Sequence, residues 1–170
     1  SIADAILEGE NPGDRAGSDV ASAGDINGDG FDDILIGAFN HGFGPNTPGA
    51  VYLFYGPVTG DTNLSAADAK LEGEQDADSA AQVSGAGDVN GDGYADILIG
   101  AGNHSAYFGG GGAAYLIYGP DITDMNLADS DAKLFGEAEL NWAGGAISSA
   151  GDVNGDGFDD IIVGAMLNDG

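Results

Sequence analysis

Three nine-residue stretches carry side chains whose types and spacing amount to chemistry. Asp25, Asn27, Asp29 and Asp33 stand at positions one, three, five and nine of the first. Asp88, Asn90, Asp92 and Asp96 repeat the pattern, and Asp152, Asn154, Asp156 and Asp160 repeat it again. Oxygen-bearing side chains at alternating positions of a tight loop suit a hard cation that takes six to eight oxygens at about 2.3–2.6 Å, and glycine at position six permits the sharp turn. Backbone carbonyls of Phe31, Tyr94 and Phe158, at position seven, would complete each set. The expected ion is Ca2+, at about three per chain, because magnesium demands near-octahedral geometry and keeps its waters.

A helix-flanked calcium loop begins the same way but needs an acid at position twelve. That position holds Ile36, Ile99 and Val163, so the acid at position nine closes the site and a strand follows. A solvated turn without metal would explain one such loop; three in register point to a shared ligand.

The whole composition leans the same way. Asp and Glu number 29 against Arg15, Lys70 and Lys133, a formal net charge of −26. Nucleic acid and anionic membranes would be repelled by such a surface. Cysteine is absent, which removes disulfides, thiolate zinc sites and cysteine catalysis. No apolar run approaches the roughly 18–20 residues of a membrane helix, so no membrane insertion is expected. Glycine, at 32 of 170 residues, lacks collagen periodicity and signals many tight turns between short strands.

The elements that must position the loops come in repeats. Gly24 to Ala38, Gly87 to Ala101 and Gly151 to Ala165 align without a gap, opening 63 and 64 residues apart. ILEGE, KLEGE and KLFGE precede them, and Gly49 to Pro57 matches Gly112 to Pro120. The repeat units run approximately 1–57, 58–120 and 121–170. Each holds short β-branched or aromatic stretches bounded by Gly, Asn, Asp or Pro, which read as four strands, a propeller blade. Stretches such as DILIG are apolar at consecutive positions, as in strands covered on both faces. The reading is all-β, a β-propeller of antiparallel four-stranded blades. An outer strand over Ala3 to Glu10, two full blades, and two last strands over Gly144 to Gly151 and Asp159 to Ala165 make 11 strands. That is two and a half to three blades, short of the roughly four to eight that close a ring.

These loops, in this period, resemble the FG-GAP repeats of integrin α-subunit propellers, which also occur in many bacterial surface proteins. The resemblance covers nearly the whole chain. It implies that each loop joins a blade's first and second strands, and that calcium stabilises the face opposite the main ligand surface. Two departures fall on blade packing. Ala16-Gly17, Ala80-Ala81 and Ala143-Gly144 replace the usual Phe-Gly, and Phe39, Gly102 and Met166 replace a proline.

Other candidates carry less. His41 and His104 are repeat equivalents, with Asn168 in the third unit, and read as solvated or turn-bonded. Trp142 aligns with Arg15 and Ser79 on a loop that shares a face with His41, Phe43, Tyr107 and Phe108, a plausible binding surface, although core packing suits a large aromatic better. No nucleophile elbow, phosphate-binding loop or HExxH motif occurs, so no enzyme is expected. Asn63-Leu64-Ser65 is a glycosylation sequon only in a source that glycosylates secreted proteins. The reading is an extracellular or cell-surface adhesion or interaction module, with structural calcium and a protein or glycan partner or further copies of its own blades. The alternatives are an accessory propeller of a secreted polysaccharide- or lipid-cleaving enzyme, and a building block that polymerises through unfinished blades.

Overall fold

The computed structural model describes residues 4–42, 47–104, 111–138 and 141–166; Phe43, Tyr107, Phe108 and Asn168 lie outside them. In chain order the strands are β1 (Leu7–Glu8), β2 (Ala16–Gly24), β3 (Asp33–Ala38), β4 (Ala50–Phe54), β5 (Thr62–Asn63) and β6 (Ala69–Glu72). They continue through β7 (Gln82–Gly87), β8 (Asp96–Ala101), β9 (Ala113–Ile117), β10 (Met125–Asn126), β11 (Ala132–Phe135), β12 (Ala143–Gly151) and β13 (Asp160–Ala165). Among the described residues no helix is long and apolar enough to cross a membrane.

The sheets are propeller blades. Strands β2, β3, β4 and β6 pair antiparallel in that order, β7, β8, β9 and β11 do the same, and β12 pairs with β13. Blades β2–β6 and β7–β11 are complete, β12 and β13 form half of another, and the ring is not closed.

Burial explains the consecutive apolar positions of the second and third strands in the two complete blades. Along β4, β8 and β9 each residue is buried. Leu35, Val51 and Leu53 of the first blade share one core with Val83, Ile97, Ile99 and Tyr115 of the second, while Ile36, Tyr52 and Phe54 pack on the opposite face against Leu7 and Leu64. Removing such surface from water contributes about 25 cal/mol per Å². The outward faces differ, since Val20 and Phe31 at one end and Ile162 and Met166 at the other are more than half exposed.

Close approach of backbones sets the blade spacing. A Cβ on Gly37 would strike the carbonyl oxygen of Ala81, and one on Gly100 would strike that of Gly144. Ala81 and Gly144 stand at the second position of the pairs that replace Phe-Gly, where Gly144 keeps the glycine. They place bare backbone against the glycine of the preceding blade's second strand.

Three elements differ from expectation: β1 is shorter, and β5 and β10 are added, which makes 13 strands among the described residues in place of 11. The first outer strand is expected over Ala3–Glu10, of which Ala3 lies outside the described residues; the structure forms it over Leu7–Glu8, where it pairs parallel with β5, as β6 pairs with β10. β1 and β6 are thus each covered by a two-residue piece of the next blade. Asn63 fixes one such piece by donating from Nδ2 to the Gly9 carbonyl at 2.8 Å while its Oδ1 accepts from Ser65 N; Asn126 does the same toward Gly73 at 2.9 Å.

Overpacked cores lose about 1–3 kcal/mol. Gly37→Ala and Gly100→Ala should each lower stability by at least that amount in urea unfolding. Unchanged midpoints would mean that the blades do not meet at these glycines.

Candidate metal loops

Each loop spans the turn from a blade's inner strand to its second strand, and all three share one backbone. Gly28, Gly91 and Gly155 at position four have φ of 77°, 78° and 78°, and Gly30, Gly93 and Gly157 at position six have 91°, 91° and 93°. These left-handed conformations exclude most side chains. The first carboxylate organises the turn: Asp25 Oδ1 accepts from the N–H groups of Gly28 and Asp29 at 2.8 and 3.0 Å, and Oδ2 from Gly30 at 2.9 Å. Asp88 and Asp152 are held identically. Asn27 Oδ1 accepts from Asp29 N, Asn27 Nδ2 donates to Asp29 Oδ2 at 3.1 Å, and Asp29 Oδ1 accepts from Phe31 N. Asn90 with Asp92 repeats this set at Tyr94; in the third loop Asn154 donates instead to Asp160, at 3.4 Å.

Position nine differs in kind. Asp33 is fully buried; its Oδ2 accepts from Ile26 N and its Oδ1 from Gly56 N, both at 2.8 Å. Asp96, also fully buried, bridges Val89 N and Gly119 N at 2.8 and 3.0 Å. This acid therefore ties the loop to the end of the third strand. Asp160 accepts from Val153 N at 2.9 Å.

Burial pushes the Asp33 carboxyl above its ordinary range, the Gly56 and Ile26 N–H groups oppose that, and the charges of Asp29 and Asp25 raise it further. Asp96 is raised likewise, by burial first and with Asp92 adding to it. In the open third loop the N–H of Gly157, ahead of those of Gly155 and Asp156, lowers Asp152.

The donor set fits a hard cation: every candidate ligand is an oxygen, and crowded carboxylates are the group such an ion neutralises. An ionised carboxylate offers about four lone-pair sites, so Asp33 with two accepted N–H bonds keeps capacity for a metal. Among the described residues no three His, Cys, Asp or Glu side chains converge to enclose an ion, because the carboxylates face backbone donors.

A second constellation was not legible as such. His41, expected to be solvated or turn-bonded, is buried, with Nδ1 3.0 Å from Asp14 Oδ2 and 3.1 Å from Tyr52 Oη. The Tyr52 hydroxyl donates to Glu10 Oε2 at 2.7 Å. His104, Asp78, Tyr115 and Glu74 repeat the network at 3.0, 3.0 and 3.3 Å. With the tyrosine proton on glutamate and aspartate able only to accept, Nδ1 carries its proton toward the aspartate. Lys70 lies 3.5 Å from Glu10, Lys133 lies 3.2 Å from Glu74, and Arg15 sits 4.9 Å from the centre of the Phe39 ring. All three cations of the chain are thereby engaged. The sequence did hold a signal, since aspartate and histidine change together, to Asn141 and Asn168, in the third repeat.

Trp142, favoured for the core, is instead 39% exposed. Arg15, Ser79 and Trp142 all adopt left-handed backbone, φ 55°, 51° and 54°, so one strained position presents three different side chains. Trp142 lines a cleft of about 280 Å³ with Phe39, Ser79, Gln82, Asn103 and Met166. The Asn63 amide nitrogen, the atom a glycan would occupy, is already bonded to Gly9.

Comparison with known proteins agrees with the repeats. The FG-GAP repeat profile matches residues 16–54, 80–117 and 143–170, more than half of the chain. The chain is similar to integrin alpha-PS5 of Drosophila melanogaster, 29% identical over 165 residues that cover 94% of this chain and 16% of the relative. It is 29% identical to integrin alpha-6 of Gallus gallus over 95% of this chain and 14% of the relative. Similarity to phosphatidylinositol-glycan-specific phospholipase D of Homo sapiens reaches 32% over 82% of this chain and 17% of the relative. The chain thus spans about a sixth of these relatives.

Two outcomes follow for the site. In metal-free buffer Asp33→Ala should cost about 1–3 kcal/mol for each backbone N–H it strands, whereas Asp29→Ala should cost little or relieve repulsion; equal losses would contradict the bridging role. Burial, ahead of neighbouring acidic charge, raises the Tyr52, Tyr55 and Tyr115 hydroxyls above their ordinary value of 10.0. A raised folded-state value means a contribution to stability present below pH 10.0 and lost as pH rises further. Tyrosine absorbance on alkaline titration should therefore show at least these three late groups ionising with unfolding, and Tyr52→Phe and Tyr115→Phe should each remove one.

Proposed function

Because this chain belongs to the FG-GAP repeat family, we propose that it is a calcium-stiffened section of an extracellular or cell-surface β-propeller that presents one loop face to a protein or glycan partner. The observation that carries this reading is the threefold repetition of one oxygen-rich loop on one backbone, each at the same turn of its blade. Asp25, Asn27, Asp29 and Asp33 would hold the first ion with the Phe31 carbonyl, and the corresponding residues of the other loops would hold the second and third. The ion's part is charge neutralisation, not reaction. A ligand that binds only the folded state stabilises it by about 2.7 kcal/mol at 100 times its Kd, so three such sites would contribute about 8 kcal/mol. Extracellular modules bind calcium at about 10⁻⁴–10⁻³ M, which suits a surface exposed to an external medium.

The partner face is supported by the Trp142 cleft, whose Phe39, Trp142 and Met166 walls surround the polar groups of Ser79, Gln82 and Asn103. Apolar walls with a few placed polar groups are the general form of a recognition site. We read His41 and His104 as structural, each buried between an aspartate and the tyrosine of the third strand, with no nucleophile among their hydrogen-bond partners. The phospholipase D relative favours one alternative, an accessory propeller of a secreted lipid- or polysaccharide-cleaving enzyme.

Metal analysis after equilibration in millimolar calcium should find about three ions per chain. Asp29→Ala, Asp92→Ala and Asp156→Ala should each lose one. No bound calcium in the parent chain would end this reading.

A further inference from the structure

The loops do not stand apart; each leans on the one before it. A Cβ on Gly28 would lie 2.7 Å from the Tyr94 ring, and one on Gly91 would strike the Phe158 ring. Ala95 N donates to the Asp25 carbonyl at 3.2 Å, and Asp159 N to the Asp88 carbonyl at 3.0 Å. Positions seven and eight of one loop therefore grip positions one and four of the loop before it.

The two grips differ by a single side chain. Asp159 Oδ2 also accepts from Asp88 N at 2.9 Å, so the second loop's first residue is held at both its N–H and its carbonyl. Ala95 occupies the equivalent place against the first loop and offers no acceptor. Among the described residues nothing lies within 4 Å of a Cβ on Gly155 in the third loop.

We propose that Asp159 and Phe158 are positioning residues of the second loop, which couple its calcium affinity to occupancy of the third. The inference rests on the calcium reading above. Phe158 is the residue whose carbonyl would serve the third ion, and Asp159 lies between it and the ligand Asp160. An ion in the third loop fixes this short segment, and the fixed segment holds Asp88 in place for an ion in the second. The Asp159 carboxylate adds negative charge beside that site. Coupling of this kind is reciprocal, so filling the second loop also favours the third. Between the first and second loops Ala95 supplies the main-chain bond alone, and the coupling there is weaker.

The test is a calcium titration of the full chain by calorimetry, with the backbone amides of Gly30, Gly93 and Gly157 followed by NMR as reporters of the three loops. Loss of an outer-shell partner typically costs 10–100-fold in metal affinity. Asp159→Ala should weaken the second loop by about 10-fold or more and leave the first unchanged. Asp159→Asn, which keeps an acceptor oxygen without the charge, should fall between, and guards against a misfolded alanine variant. Asp156→Ala should empty the third loop and weaken the second, while Ala95→Asp should tighten the first. The proposal is overturned if Asp159→Ala and Asp159→Asn leave the second loop within about twofold of the parent, or if Asp156→Ala empties the third loop with the second untouched. If no reporter amide responds to calcium, the calcium reading itself fails and this inference falls with it. Three ions with unlinked affinities would remove the inference alone.

Discussion

Three carboxylates folded into nine residues repel one another, by roughly 1 kcal/mol per pair at about 4 Å in water and several times that near a protein surface. The turn from inner to second strand must hold them there in every blade. Backbone N–H groups meet part of the demand, three on Asp25 and two on Asp33. Burial, more than the neighbouring acidic charges, keeps Asp33 and Asp96 above the ordinary carboxyl range. A divalent ion at each loop reverses the sign of the interaction, and three would offset about six of the 26 excess negative charges.

The same carboxylates also organise the blade. Asp33 and Asp96 bridge the loop to the second residue after the third strand, so that turn and sheet close together. On neighbouring blades the loops stack through Tyr94 and Phe158, and the sheets stack where Gly37 and Gly100 admit the next backbone. A further set of contacts joins the outer strands: Glu10 and Glu74 reach from one blade to Tyr52 and Tyr115 of the next, which His41 and His104 hold from the other side. Loop stacking, a glycine contact and a buried polar network all meet at the junction of the two complete blades, and the first two recur at the junction with β12 and β13.

The loops and principal strands were legible because their signals are periodic: a fixed spacing of oxygens, and apolar runs between turn residues. Two-residue strands β5 and β10 have no period to detect, and their pairing depends on a parallel approach from another blade. The buried place of His41 depends on Asp14 and Tyr52, 27 and 11 residues away, which no local pattern joins. Only the joint change to Asn141 and Asn168 hinted at it. Trp142 was placed in the core by the habit of its residue type, but a left-handed backbone turns it toward the cleft. Position nine was read as a ligand alone; its bridge to Gly56 requires the third strand to be seen beside it.

Calcium as the tie that holds these loops closed is the central claim, and thermal unfolding measures it most directly. Circular dichroism melts in millimolar calcium and in excess chelator, at one fixed ionic strength, compare the two states without a partner or a mutation. The account predicts a melting temperature lower in chelator by at least about 10 °C, the shift that several kcal/mol produces in a chain of this size. Coincident melting curves would contradict it, leaving the aspartates as solvated turns with no ion to serve.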